Sequence, residues 1–226
     1  MADPAKAELM HSLRRLVRGL SALFWGLPIT LLVCVQSAVT EWLKPLGAAP
    51  PILATGFLFY GLTQLEYFQK QERVWVQSIE RTKVFALINV GLSPFIFWWS
   101  KMPHEMFFGQ VVGLLALSGL LFLFNLNQLL QRLSAMLPDE TVRAETRLFT
   151  TVNLYLMLTV VILMTFYFAL EQVSALPQFL IQLLDILAEA RRFLLLFLVL
   201  MPLAMTMTLV WKIKEVVLSS VFGAER

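Results

Sequence analysis

Residues 106–126 read MFFGQVVGLLALSGLLFLFNL, an uninterrupted stretch that contains no charged side chain. At about 1.5 Å per residue, a helix of this length crosses the roughly 30 Å hydrocarbon core of a bilayer. The whole chain has the same character, because 58% of its 226 residues are apolar and only 15% are charged, against about 25% charged residues in a typical soluble domain. We therefore expect an all-α, polytopic integral membrane helical bundle.

Five further apolar runs resemble this one in length, and together they predict about six transmembrane helices. The six predicted spans cover residues 19–39, 50–68, 84–100, 106–126, 152–170 and 193–211. They pair into three helical hairpins within a single transmembrane domain at residues 19–222. A basic lead-in, 1–18, precedes this domain and a short tail, 223–226, follows it.

The distribution of Lys and Arg predicts the orientation, because cytoplasmic loops carry an excess of both residues. With the N-terminus inside, the outer segments hold only four of the 18 basic residues, namely Lys44, Lys101, Arg191 and Arg192. All the other basic residues then lie on the inner side. We therefore expect both termini in the cytoplasm and a bacterial-type inner membrane as the location.

A shift of 64 residues aligns the end of the second span and the third span with the end of the fourth span and the fifth span. Seven identities fall within a window of 31 aligned positions. Two of them pair polar residues that are uncommon in spans, Gln64 with Gln128 and Asn89 with Asn153. The pattern predicts an internal repeat, with the two asparagines meeting at an internal axis.

Two polar connections, near residues 64–83 and 127–147, are rich in helix-forming residues and predict cytoplasmic helical hairpins. These hairpins are either solvated arms or docking handles for another subunit, with Trp75, Arg132 and Arg143 as the contact residues. On the outer side, polar residues recur at helical spacing over 177–192 and predict an amphipathic helix. This helix either lies along the membrane surface or continues into the last span.

Residue types that support chemistry in a membrane are scarce in this chain. The two histidines lie outside the predicted spans and there is one cysteine, so neither a haem ligand pair nor a disulfide is expected. No acidic residue lies deep in a predicted span, which disfavours an ion-coupled pump. We expect no enzyme activity, cofactor or metal. Because the basic residues follow the membrane topology, we also expect no nucleic-acid partner.

The remaining candidate residues are uncharged and polar: Asn89, Asn153, Gln64, Gln128 and Gln110. In lipid such side chains either join helices through hydrogen bonds or line a polar path for a small neutral solute.

Small residues along the fourth span, including Gly109 and Gly113, predict close helix packing. Two functions follow from this set of residues. The first is a non-catalytic subunit or scaffold of a membrane complex, whose partners are the lipid bilayer and either other membrane subunits or copies of the same chain. The alternative is a small-solute channel or facilitator.

Overall fold

The computed structural model describes residues 4–69, 71–136, 140–171 and 199–219, and every regular element in these ranges is a helix. The helices are α1 (Pro4–Val39), a short 3₁₀ turn (Lys44–Leu46), α2 (Ala49–Leu65), α3 (Arg73–Leu92), α4 (Pro94–Lys101), α5 (Met106–Ala135) and α6 (Glu140–Glu171). Residues 199–219 form the described part of a further helix, α7. The all-α prediction is confirmed at this level.

Three helical stretches in the described ranges are long and apolar enough to cross a membrane: Met10–Val39, Arg73–Lys101 and Met106–Ala135. They coincide with the first, third and fourth predicted spans. Helix α2 covers most of the second predicted span with 17 residues, and α6 contains the fifth. The sixth is described only from residue 199 onward. The predicted outer helix at 177–192 and the tail at 223–226 lie outside the described residues.

The third predicted span is broken into two helices at Ser93 and Pro94. Proline lacks a backbone N–H, so the carbonyl four residues earlier loses its usual helical partner. That carbonyl belongs to Val90, and the Ser93 hydroxyl donates a hydrogen bond to it at 2.9 Å. The side chain before the proline therefore compensates for the backbone bond that the proline removes.

Helices α1 and α2 form a closely packed hairpin. A Cβ atom at Gly19 of α1 would lie 2.8 Å from the carbonyl oxygen of Gly61 on α2, so the two backbones approach as only glycine allows. In the turn between them, Lys44 Nζ donates to Glu41 Oε1 at 2.9 Å. This hydrogen bond lowers the pKa of Glu41. Beyond the hairpin, α2 packs on α3, α3 on α5, and α5 on α6.

The best-packed part of the bundle lies toward the predicted cytoplasmic side, and we call it the inner core. Its largest fully buried side chains are Trp75, Leu16, Leu20, Leu23, Leu62, Leu65, Ile79, Leu126, Leu129, Leu130, Leu133 and Leu209. The end of α5 belongs to this cluster together with parts of α1, α2, α3 and α7. In the predicted hairpin at 127–147, one face of the α5 arm is therefore buried by neighbouring helices, while Gln128 and Arg132 on its other face are exposed.

Candidate functional site

The described helices line a half-open cavity of about 380 Å³, which we call the outer cavity. Its walls come from the C-terminal half of α1 and from α2, α3, α4, α5 and α7, and they are mostly apolar side chains such as Leu31, Leu58 and Leu120. The volume falls within the range of roughly 300–1,000 Å³ that is usual for small-molecule sites. Among the described lining residues none carries a charged side chain.

Two threonines in the cavity wall use their hydroxyl groups within the bundle. Thr30 Oγ1 donates to the carbonyl of Ala54 at 2.9 Å and thereby links α1 to α2. Thr55 Oγ1 donates to the carbonyl of Pro51 at 2.8 Å and lies 3.3 Å from Ser93 Oγ. Both hydroxyl groups therefore use their donor hydrogen within the bundle and can act only as acceptors toward a ligand.

Asn89 is the exception among the polar residues that line the cavity. Its side chain is 7% exposed, and its Oδ1 atom is buried without a hydrogen-bond partner. No described residue forms a hydrogen bond with its side-chain amide. Leaving a buried polar group unpaired costs about 1–3 kcal/mol, so Asn89 keeps both a donor and an acceptor available beside an apolar space.

A second buried asparagine, Asn153, belongs to a polar network closer to the predicted cytoplasmic side. Asn153 Nδ2 donates to Thr206 Oγ1 at 3.1 Å, and Asn127 Nδ2 donates to the same oxygen at 2.9 Å. Thr206 Oγ1 in turn donates to the carbonyl of Pro202 at 2.8 Å. The network joins α5, α6 and α7. Sequence reasoning missed Thr206, although its position four residues after Pro202 is a usable signal for such a backbone bond.

The five polar residues singled out from the sequence do not form one path in the described structure. Asn89 and Asn153 are buried, but no hydrogen bond joins them. Gln64 is half-buried, whereas Gln110 and Gln128 are exposed. Of the five, only Asn89 is among the described residues that line the outer cavity.

The 64-residue shift pairs positions with similar burial. Leu62 and Leu126 are both fully buried, as are Leu65 and Leu129. The polar pairs behave in the same way, since Thr82 and Thr146 are buried, as are Asn89 and Asn153. The match is partial, since Ile79 is buried whereas its counterpart Arg143 is exposed, and the two asparagines have different surroundings.

Trp75, one of the three predicted docking residues, is buried within the bundle. Its side chain is 0% exposed and its ring packs edge-on against Phe68, with the ring centroids 6.1 Å apart. A side chain enclosed in this way has no surface to offer a partner. Arg132 and Arg143 are exposed, and Arg143 Nη2 also donates to the carbonyl of Ala135 across the turn between α5 and α6.

The face of α5 that carries Gly109 and Gly113 has few close neighbours among the described residues. A Cβ atom at Gly109 would meet only Trp99 Nε1, at 3.8 Å, and one at Gly113 would meet no heavy atom within 4 Å. The close approaches instead involve α1 and α2, at Gly19, Gly26 and Gly61. In the part of the chain that the structure describes, Gly109 therefore faces the Trp99 side chain of α4, and Gly113 has no helix packed against it.

Across the described ranges, no group of three or more His, Cys, Asp or Glu residues is placed to hold a metal ion. No protein-family model, curated protein or solved structure matches the chain. Two features of the molecule bear on its function, the outer cavity with its unpaired amide and the exposed surface beside the inner core, on the predicted cytoplasmic side.

Proposed function

We propose that the protein is a non-catalytic subunit or scaffold of a membrane complex and that it acts by binding partners at its cytoplasmic end. The observation that supports this function is the inner core, whose fully buried side chains join α1, α2, α3, α5 and α7. A core of this kind holds the surface above it in a fixed arrangement. That surface carries an exposed group of arginines, which we call the basic rim: Arg14, Arg18, Arg73, Arg81, Arg132, Arg143 and Arg147.

The proposal includes six spans, an internal duplication, cytoplasmic termini and a bacterial-type inner membrane. The matching burial of four residue pairs 64 positions apart supports the duplication, and the basic rim supports the orientation through the positive-inside rule. Cys34 is the single cysteine, so a Cys34→Ala background allows topology mapping. Lys101→Cys should react with a membrane-impermeant maleimide from outside and Arg81→Cys should not; the reverse result would contradict this topology.

Partner binding is tested by mild extraction of the tagged protein from its own membrane, followed by native mass spectrometry. We expect other chains, or further copies of this one, at a fixed ratio. Arg132→Glu should lower that ratio by about tenfold or more, because charge reversal at an interface costs at least about 1.5 kcal/mol. Lys101→Glu, an exposed change on the predicted outer side, is the matched control. A single chain that carries only lipid would contradict the proposal.

The outer cavity is the observation that favours the alternative, a channel or facilitator for a small solute. Two features weaken this alternative. The polar residues expected along a path are dispersed, and fully buried leucines fill the bundle on the inner side of the cavity. Solute flux into liposomes that disappears in Asn89→Leu would favour it over the scaffold, whereas flux that survives both Asn89→Leu and Asn153→Leu would count against it.

A further inference from the structure

We propose that the outer cavity binds one uncharged amphiphile from the membrane, with its hydrocarbon chain against the apolar walls and a single hydroxyl group on Asn89. This inference does not depend on the partner-binding function. The cavity is formed between helices that include all three candidate spans, so the bilayer itself supplies the ligand.

Apolar walls alone do not select a ligand in a membrane. Lipid chains are as apolar as leucine side chains, so the transfer of a hydrocarbon chain from the bilayer into the cavity has little hydrophobic driving force. Selectivity must then come from the shape of the cavity and from its polar groups. Two described lining residues that could form a side-chain hydrogen bond have none, Asn89 and Cys34. A thiol is only a weak donor and acceptor, so the Asn89 amide determines which ligands are preferred.

The chemistry of an amide identifies the ligand group that fits. An amide offers one acceptor oxygen and a donor NH₂ group, and a hydroxyl can donate to the oxygen and accept from the nitrogen. A carbonyl group can only accept, and it would leave Asn89 Oδ1 unpaired. An ionised headgroup is disfavoured, because the described lining residues offer no opposite charge and an unpaired charge in the membrane is costly. A long-chain alcohol can both donate to and accept from the amide, and it carries no charge.

Gly119 offers a way to fill the cavity without disturbing the bundle. It lines the cavity, and a Cβ atom there would meet no heavy atom within 4 Å. Gly119→Leu should therefore occupy ligand space while the backbone of α5 stays in place. Gly113 lies on the same helix with equally open surroundings and is not among the described lining residues, so Gly113→Leu is the matched control.

The test uses the full chain in lipid nanodiscs and a photoactivatable hexadecanol with a diazirine on its chain. Labelled peptides are mapped by mass spectrometry, with hexadecanol, hexadecane or hexadecyltrimethylammonium as competitors. We expect labelling on α1 and α5, with hexadecanol competing about tenfold better than hexadecane because of one hydrogen bond in an apolar site. Gly119→Leu should reduce labelling by about tenfold or more, and Gly113→Leu should leave it unchanged.

Asn89→Leu separates the polar contact from the shape of the cavity. It removes no hydrogen bond of the free protein, so it should fold normally and still accept a chain, while the advantage of hexadecanol over hexadecane falls to about one. Thermal unfolding checks that each variant is folded, and Ala116→Leu replaces Gly119→Leu if the latter is not. Equal competition by hexadecanol and hexadecane in the unmodified protein, or labelling that neither cavity-filling variant reduces, would overturn the proposal.

Discussion

The inner core and the outer cavity are built along the same face of α5 with side chains of different size. Toward the predicted cytoplasmic side this face carries Leu126, Leu130 and Leu133, all fully buried. Toward the outer side the same helical spacing brings Ala116 and Gly119 into the cavity wall. Bulky residues fill the space between the helices on one side, and small residues leave it open on the other.

This contrast shows that small residues in a span have two opposite structural outcomes. At Gly19 and Gly61 the two helices pack so closely that their backbones are nearly in contact. At Gly119 no described helix packs closely, and the space that a side chain would fill is part of the cavity. Composition does not distinguish these outcomes, because the position of the neighbouring helix is set by side chains elsewhere along the interface.

The largest expected effect is the loss of Trp75 from the inner core. Trp75→Ala should lower the free energy of unfolding by about 3–5 kcal/mol, because it leaves a large void among fully buried neighbours. Trp75→Phe should cost much less, since the indole N–H that it removes has no hydrogen-bond partner. Chemical unfolding of the purified protein in detergent measures both changes.

Leu120→Ala in the cavity wall is the counterpart of Trp75→Ala. Its neighbourhood already contains open space, so we expect a smaller loss of unfolding free energy. A loss as large as that of Trp75→Ala would mean that the outer half is as tightly packed as the inner core.

A medium effect is expected where two backbones approach each other. Gly19→Leu should lower the free energy of unfolding by about 1–3 kcal/mol, because the added side chain collides with the Gly61 backbone and forces α1 and α2 apart. Gly113→Leu adds the same group at an open position and should be close to neutral. Thermal unfolding of the two variants side by side measures the difference, and equal melting temperatures would argue against the close packing of this hairpin.

The helical membrane character could be predicted well from the sequence, because long uncharged apolar runs are typical of membrane spans and uncommon in soluble domains. The burial of Trp75 could not be predicted, because an apolar residue in a polar segment does not reveal whether its face meets a partner or the rest of the chain. The cavity could not be predicted either, since the sequence does not show where the packed helices leave space between their side chains. The sequence singled out Asn89 and Asn153, and both are buried, but equivalent positions in the 64-residue alignment do not determine which neighbours each one contacts.

The smallest expected effect tests the contrast between these two asparagines. Asn153→Leu removes the donor to Thr206 Oγ1 and to the Pro202 carbonyl, and it should lower the free energy of unfolding by about 1–2 kcal/mol, as is usual for hydrogen bonds between membrane helices. Asn89→Leu removes no such bond and should leave stability unchanged or higher. Unfolding in detergent compares them directly. A larger loss in Asn89→Leu than in Asn153→Leu would mean that Asn89 has a structural partner in the free protein, and its amide would then no longer be available to a ligand.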